Sequence, residues 1–246
     1  MSSWDINTDD AREANTKTTF IIFCEDDVCE PAYFRVFQSE NTNIKVNAIG
    51  NQRAGKLNLS ATMEWCYNNG LLEIQNQTYK IKDGITQNLW CVYDRDLESD
   101  NFAEIKKVDD VAFSIAIQHA EQIGINIAWS NDAFELWILL HFEQIPVHTP
   151  FHRNYIYERL TEIFKNIAPR TETLDKITGN PRFNYKDSLK AQKHFIPEVL
   201  PRLKATREFA ITNAIALEQN FSAQVPYDSC NPCTRVHHLV SALLNA

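Results

Sequence analysis

The sequence predicts an α/β fold, in which a mostly parallel sheet is flanked by helices and followed by an α-helical C-terminal lobe. Four short apolar runs, at 18–24, 44–49, 89–93 and 125–129, alternate with segments whose apolar residues have helical spacing. This alternation is typical of parallel strands joined by crossover helices. After residue 148 helical spacing continues, and candidate strands are absent.

The first half of the α/β region has the order strand, helix, strand, helix. The run at 18–24 is apolar and bounded by charge, as expected of a buried parallel strand. Pro31 fits the first turn of the next helix, because that turn leaves its amide groups unpaired. A strand at 44–49 is followed by a helix at 54–67, which ends near Gly70.

The second half begins with 71–85, which alternates weakly and fits either a hairpin insertion or an extended loop. A strand at 89–93 then leads to a helix at 102–123. The fourth strand, at 125–129, leads to an apolar helix at 133–142.

These elements divide the chain into three regions. We predict a flexible N-terminal segment at 1–17, an α/β domain at 18–148 and an α-helical lobe at 149–246. Helices of the lobe are expected at 151–167, 185–204, 205–221 and 234–244.

Composition and charge exclude several classes of protein. With 24 Lys and Arg against 32 Asp and Glu, the 246-residue chain carries a net charge of −8. This argues against a general polyanion binder, which usually has a basic surplus. The chain shows no signal peptide and no apolar stretch of membrane-spanning length, and its six scattered cysteines favour reduced thiols. We therefore expect a cytoplasmic protein without a membrane segment.

Acidic residues follow three of the predicted strands. Glu25 and Glu30 follow the first, Asp94 and Asp96 the third, and Glu135 lies one helical turn beyond the fourth. The carboxyl ends of parallel strands share one edge of the sheet, where ligands bind. Clustered carboxylates repel one another unless a cation such as Mg²⁺ or Mn²⁺ is bound. The alternative is that these acidic residues only cap the helices that follow the strands, a role that Asp side chains commonly fill.

The Asp-x-Asp spacing adds a geometric expectation. In an extended segment, residues i and i+2 point the same way. Asp94 and Asp96 are therefore expected to converge on one ion, with Arg95 pointing elsewhere.

Four segments carry motifs: Phe23-Cys24-Glu25 with Glu30-Pro31-Ala32-Tyr33-Phe34, then Val92 to Asp96, Ser130 to Phe142, and Asn231 to Val240. Together they resemble the RloB family from about residue 19 to residue 244. The most specific is the third, where the family reads Ser-Asn-Pro-x-Phe-Glu-Leu-Trp-Leu-Leu-Leu-His-Phe.

The resemblance implies a TOPRIM-like fold, in proteins found in restriction and phage-defence loci, often beside an ATPase. TOPRIM nucleases use Mg²⁺ for phosphodiester chemistry, and overcoming-lysogenization-defect nucleases add further acidic residues, a Ser and a Lys. By this resemblance the catalytic residues are Glu25, Asp94, Asp96 and Lys186. The metal ligands are Glu25, Glu30, Asp94, Asp96 and Glu135, supported by Ser130 and Asn131. The chain departs from the family pattern at three positions, where Asp26, Cys29 and Asp132 replace the family's Gly, Thr and Pro. The carboxylates of the implied site are all kept.

The function expected from these residues is a Mg²⁺-dependent nuclease that cleaves RNA (tRNA or another RNA) or DNA during anti-phage defence. The alternative is a non-catalytic sensor or regulatory subunit that binds a partner ATPase or a nucleotide. A phosphotransfer or nucleotidyl enzyme is a third hypothesis, because fold alone does not choose the reaction. A homo-oligomer is compatible with each.

Two further features have ordinary explanations. Cys230 and Cys233 form a single CxxC, and His237 and His238 follow it, so the segment superficially suggests a zinc site. Structural zinc sites, however, need four well-spaced ligands. We therefore interpret this segment as the start of the last helix. The lobe is also richer in basic residues, which fit either a nucleic-acid channel or, more commonly, a solvated surface. They are Arg153, Arg159, Lys165, Arg170, Lys176, Arg182, Lys186, Lys190 and Lys193.

Overall fold

The computed structural model describes residues 17–50 and 59–246. Apart from Lys17, the predicted flexible segment 1–17 lies outside the described residues, as do residues 54–58 of the predicted helix at 54–67. Within the described ranges, no helix has the length and apolar character needed to cross a bilayer. All six cysteines are buried and none forms a disulfide, as the sequence predicted.

The main sheet has five strands in the order β2-β1-β5-β6-β7. The first four are parallel to one another, and β7 pairs antiparallel with β6. The strands are β1 (Thr18–Phe23), β2 (Ile44–Ile49), β5 (Asn88–Asp94), β6 (Asn126–Asn131) and β7 (Cys233–Thr234). All four predicted strands are therefore confirmed. The segment at 71–85 forms a separate antiparallel hairpin of β3 (Leu72–Gln75) and β4 (Thr78–Ile81).

Helices cover the sheet and form most of the C-terminal region. In the α/β region they are α1 (Cys29–Glu40), α2 (Leu59–Asn68), α3 (Lys107–Ile123) and α4 (Glu135–Leu140). Beyond them lie α5 (Arg153–Asn166), α6 (Glu172–Thr178), α7 (Tyr185–Leu189), α8 (Gln192–His194), α9 (Leu200–Ala205), α10 (Arg207–Glu218) and α11 (Val236–Leu244). Short 3₁₀ turns at Phe102–Glu104 and Tyr227–Ser229 and a π-helical turn at Phe195–Val199 complete the set.

Local sequence explains where several elements end. Gly124 closes α3 in the left-handed conformation, with φ of 99°, which glycine adopts without a steric penalty. Pro31 lies in the first turn of α1, as predicted. The four residues Phe20 to Phe23 of β1 are buried without alternation, because helices cover both faces of the sheet.

The core lies on both faces of the sheet. One face packs α1 and α4 together with the C-terminal helices, and includes Phe34, Trp137 and Leu160. The other face packs α2 and α3, and includes Phe113 and Trp129. The C-terminal helices therefore share a hydrophobic core with the sheet.

The structure corrects three details of the C-terminal region. The sequence analysis expected no strand after residue 148, yet β7 adds a two-residue strand at the edge of the sheet. This strand is too short for its pattern to show in the sequence. Helix α6 was not predicted, and the helix expected at 185–204 is divided into α7, α8, the π-helical turn and α9.

Candidate metal-binding site at the carboxyl ends of the strands

Strands β1, β5 and β6 are adjacent and parallel, so their carboxyl ends lie side by side. A hydrogen bond connects the loop after β1 to the end of β5: the amide of Asp94 donates to Oε2 of Glu25 (2.8 Å). Oε2 of Glu30 in turn accepts from the amide of Glu25 (2.7 Å). The structure thus brings Glu25, Glu30 and Asp94 together at one edge of the sheet.

Asp94 is the centre of this group. Its Oδ2 accepts a hydrogen bond from the amide of Phe134 (2.8 Å), which ties β5 to the start of α4. Its Oδ1 is buried and has no hydrogen-bond partner within the described residues. Burial raises the pKa of Asp94 well above its ordinary value, and the nearby carboxylates of Glu25, Glu30 and Glu135 raise it further. The site therefore contains a buried carboxylate oxygen that has no hydrogen-bond donor in the described part of the chain.

The loop after β1 is organised by Asp26, the residue that replaces the family's Gly. Its Oδ1 accepts from the amides of Val28 (2.9 Å) and Glu30 (3.2 Å), which satisfies two donors at the start of α1. Glu30 itself is 1 % exposed, and burial followed by the charges of Asp26 and Glu25 raises its pKa. The substitution at position 26 is therefore accommodated and adds a carboxylate beside the site.

Glu135 reaches the same region from α4 and is paired with a cation. Lys190 Nζ lies 2.5 Å from Glu135 Oε1, and the Tyr157 hydroxyl donates to Oε2 (3.4 Å). The negative charge of Glu135 raises the pKa of Lys190, against the opposing effect of burial, so Lys190 keeps its charge. The predicted Lys186 is exposed and lies over the ring of Tyr157, with Nζ 5.5 Å from the centroid.

Asp96 departs from the extended geometry on which its prediction rested. Strand β5 ends at Asp94, and Asp96 has a φ of 55°, in the left-handed region. Its carboxylate forms an ion pair with Arg153 from the start of α5. Among the described residues, the carboxylate oxygens of Glu25, Asp94 and Asp96 do not all lie within 4.8 Å of one another. The left-handed backbone at Asp96 and its pairing with Arg153 therefore differ from the extended geometry on which the expected convergence of Asp94 and Asp96 rested.

The side chains of Ser130 and Asn131 hold strands and loops in place. The hydroxyl of Ser130 lies 3.0 Å from that of Thr234 in β7. Oδ1 of Asn131 accepts from Arg95 (3.2 Å), and its amide donates to the carbonyl of Asp228 (3.0 Å). Arg95 also pairs with Asp110.

A cleft of about 540 Å³ opens beside β5. Its lining includes Asp94 and Asp96 together with acidic residues of the following segments, namely Glu98, Asp109 and Asp110. This surface repels a polyanion unless cations neutralise it. A bound divalent ion would reduce that repulsion at the point where Asp94 reaches the cleft.

Comparison with known proteins identifies the family. The family model described as RloB-like protein matches residues 20–243 of the chain. The chain belongs to the RloB-like family. Neither a curated protein nor a solved structure matches it. The family therefore rests on a match over almost the whole length, and the resemblance seen in the motifs is confirmed.

Sequence analysis named two basic residues of the lobe without assigning them to the site to which this RloB-like fold brings them. Lys190 and Arg153 pair with Glu135 and Asp96. The one sequence signal for Lys190 is that it lies four residues, about one helical turn, beyond Lys186. Several other basic residues of the lobe are also paired, including Arg159 with Glu143 and Arg170 with Asp175. Some of the basic residues named from the sequence thus form structural ion pairs.

The donor set fits a hard divalent cation. Mg²⁺ is commonly bound by one or two carboxylates, with water and substrate phosphate completing its coordination. Asp94 supplies a buried oxygen without a donor among residues 17–50 and 59–246, and Glu25 supplies a second carboxylate that already contacts the Asp94 amide. Glu30 and Glu135 add negative charge around this pair. These residues would hold the ion, and Asp96, whose carboxylate pairs with Arg153, lies in the same cleft as Asp94.

The raised pKa values predict how stability depends on pH. The folded-state pKa values of Asp94 and Glu30 lie above the unfolded values of about 3.9 and 4.3. Their contribution to stability is therefore fully present below about pH 4 and is lost as pH rises through the folded values, at about 1.4 kcal/mol per pKa unit. Mg²⁺ should restore stability, most strongly at high pH, because it binds the ionised form.

Urea unfolding at several pH values, with and without Mg²⁺, measures this effect. Burial lowers the pKa of His141 to about 3, so His141 makes stability rise with pH below its ordinary pKa, opposite to the effect of Asp94 and Glu30. The readout is therefore the difference in stability between wild type and Asp94→Asn. In metal-free buffer, wild type should lose more stability than Asp94→Asn as pH rises. Parallel curves for the two proteins would contradict the assignment of a raised pKa to Asp94.

Proposed function

We propose that this protein is a Mg²⁺-dependent nuclease, which hydrolyses phosphodiester bonds of RNA or DNA as part of a prokaryotic anti-phage defence system. The observation that carries the proposal is the buried Oδ1 of Asp94, which lacks a partner among the described residues and is surrounded by Glu25, Glu30 and Glu135. Burying such a charge is costly unless a cation binds it. The resemblance to the RloB family is the basis for the defence context and the partner ATPase. The cytoplasmic location rests on the cysteine usage, which favours reduced thiols.

The chain's own residues would prepare this site for a polyanionic substrate. Asp94 and Glu25 would hold the ion, which, when bound, supplies stabilisation of the attacking and leaving oxygens of a phosphodiester. Lys190 offsets part of the negative charge of Glu135, which lowers the repulsion of a phosphate. Lys186, exposed above the Tyr157 ring, has an ammonium group available to contact the nucleic-acid backbone.

Cleavage assays test the proposal. Purified protein is incubated with tRNA, other RNA and DNA, with Mg²⁺, with Mn²⁺ or with a chelator. Glu25→Gln removes a charge but keeps an oxygen that can accept from the Asp94 amide, so the fold should persist. We expect metal-dependent cleavage by wild type and a loss of about 100-fold or more in Glu25→Gln, comparable to removing one group that stabilises a transition state.

The matched control is Glu98→Gln, which changes an exposed carboxylate in the same cleft. Its cleavage rate should stay close to that of wild type. Cleavage that is independent of metal, or equal in Glu25→Gln and wild type, would refute the proposed site. Absence of both cleavage and calorimetric Mg²⁺ binding would favour a sensor or regulatory subunit.

A further inference from the structure

A second group of metal-ligating side chains lies at the other end of the chain, between α10 and α11. Glu218 from the end of α10 meets His237 and His238 from the first turn of α11, and their ligand atoms all lie within 4.8 Å of one another. Glu218 Oε2 is 3.0 Å from His237 Nε2 and 2.8 Å from His238 Nε2. One carboxylate oxygen therefore faces two imidazole nitrogens.

The tautomer of His237 decides what this contact means. His237 Nδ1 lies 3.1 Å from the backbone carbonyl of Thr234, which can only accept a hydrogen bond. Nδ1 must therefore carry the proton, and in the neutral ring Nε2 carries a lone pair. That lone pair faces the Glu218 carboxylate from a side chain that is almost fully buried. The contact needs either a second proton on the ring or a cation between the two atoms.

The surroundings match those of a protein metal ligand. A metal-bound imidazole characteristically donates its other ring N–H to a carbonyl or carboxylate, which fixes its orientation. The Thr234 carbonyl fills that role for His237. Arg235 Nε donates to the opposite oxygen of the carboxylate, Glu218 Oε1 (2.8 Å), which orients Glu218 and leaves Oε2 for the ion.

The charge of Arg235 is offset by its own partners. Its guanidinium lies 3.6 Å from Glu121 and over the rings of Trp129 and Tyr227. A cation bound beside Glu218 would therefore meet a guanidinium that already has a second carboxylate and two aromatic faces. This arrangement lowers the repulsion between the two positive charges.

We propose that Glu218, His237 and His238 bind a divalent transition metal ion, with Zn²⁺ as the ion that fits best. Two imidazoles and one carboxylate are a ligand set typical of zinc, with metal–ligand bonds of about 2.0–2.2 Å. The three residues line a cleft of about 690 Å³, from which a water molecule can occupy the fourth position. The sequence analysis considered His237 and His238 together with Cys230 and Cys233 and decided against a zinc site. In the structure the third member of the group is Glu218, and neither thiol belongs to it.

Metal titration of the full chain tests this site. After chelator treatment and desalting, the protein is titrated with Zn²⁺ by calorimetry and with Co²⁺ by visible absorption. We expect one equivalent of Zn²⁺ and a Co²⁺ spectrum without a thiolate-to-metal charge-transfer band. Glu218→Gln, which still accepts from Arg235, and His238→Ala, which removes a half-exposed ring, should each weaken Zn²⁺ binding by about 100-fold or more.

The controls separate this site from other sources of binding. His119→Ala removes an exposed histidine on α3, and Asp94→Asn changes the site at the strand ends, so both should bind Zn²⁺ like wild type. Failure to bind an equivalent of Zn²⁺, or unchanged affinity in both Glu218→Gln and His238→Ala, would overturn the proposal. A thiolate-to-cobalt band in wild type would also overturn it, because it would place the ion on cysteines.

Discussion

Asp94→Asn is expected to reduce the proposed metal-dependent cleavage strongly and at the same time to stabilise the metal-free protein. Asn keeps an oxygen that can accept from the Phe134 amide, but it removes the charge that burial and three nearby carboxylates disfavour. We expect a gain of about 1–3 kcal/mol in the free energy of unfolding without metal, because each unit by which the pKa of a buried carboxyl group is raised corresponds to about 1.4 kcal/mol. Cleavage should fall by about 10³-fold, since a preorganised charge at the site is lost.

Thermal unfolding and cleavage rates measured on one preparation check both halves of this prediction. The matched control is Asp132→Asn at a second buried aspartate, two residues beyond Ser130. Both oxygens of Asp132 accept backbone hydrogen bonds, from Leu97 (2.5 Å) and Arg153 (2.9 Å). An amide group cannot accept at both positions, so this variant should be less stable than wild type. An Asp94→Asn protein that is less stable and still active would contradict the assignment.

Lys190→Met is expected to be the most destabilising single change near the site. It leaves the Glu135 carboxylate, which is 2 % exposed, without its cation. Removing one partner of a buried ion pair costs about 3–5 kcal/mol, because the other charge remains buried and uncompensated. The midpoint of urea unfolding should therefore fall sharply in this variant.

Lys186→Met is the control for Lys190→Met, because both ammonium groups lie near the ring of Tyr157 and only Lys190 contacts Glu135. As an exposed residue, Lys186 should change stability by no more than about 0.5 kcal/mol. The double variant Lys190→Met with Glu135→Gln should recover part of the loss, since it removes the stranded charge. Equal effects of the two single lysine variants would show that the ion pair contributes little.

The sheet could be predicted from the sequence because its signals are local. Each parallel strand is a short apolar run, and each is followed by turn or helix residues that the sequence also shows. The meeting of Glu25 with Asp94 follows from that topology, since adjacent parallel strands end at one edge. Local pattern and a general rule of sheet geometry were therefore sufficient for this part of the site.

The remaining features depend on contacts between distant parts of the chain. Lys190 meets Glu135 across 55 residues, and Glu218 meets His237 across 19, so no local pattern announces either pair. Asp96 leaves the extended conformation, where it meets the guanidinium of Arg153. Strand β7 has two residues and forms only because β6 offers its free edge. These contacts depend on the tertiary structure, which the periodicity of the sequence does not predict.

The order in which the site's parts occur along the chain has a consequence for biosynthesis. The carboxylates of Glu25, Glu30, Asp94 and Glu135 leave the ribosome before Lys190, and Lys190 leaves before Thr234, which contacts Ser130 across the edge of the sheet. A nascent or prematurely terminated chain thus carries the acidic groups without the lysine that compensates Glu135. We expect such fragments to lack the folded site, so that the site assembles only after β7 has been translated.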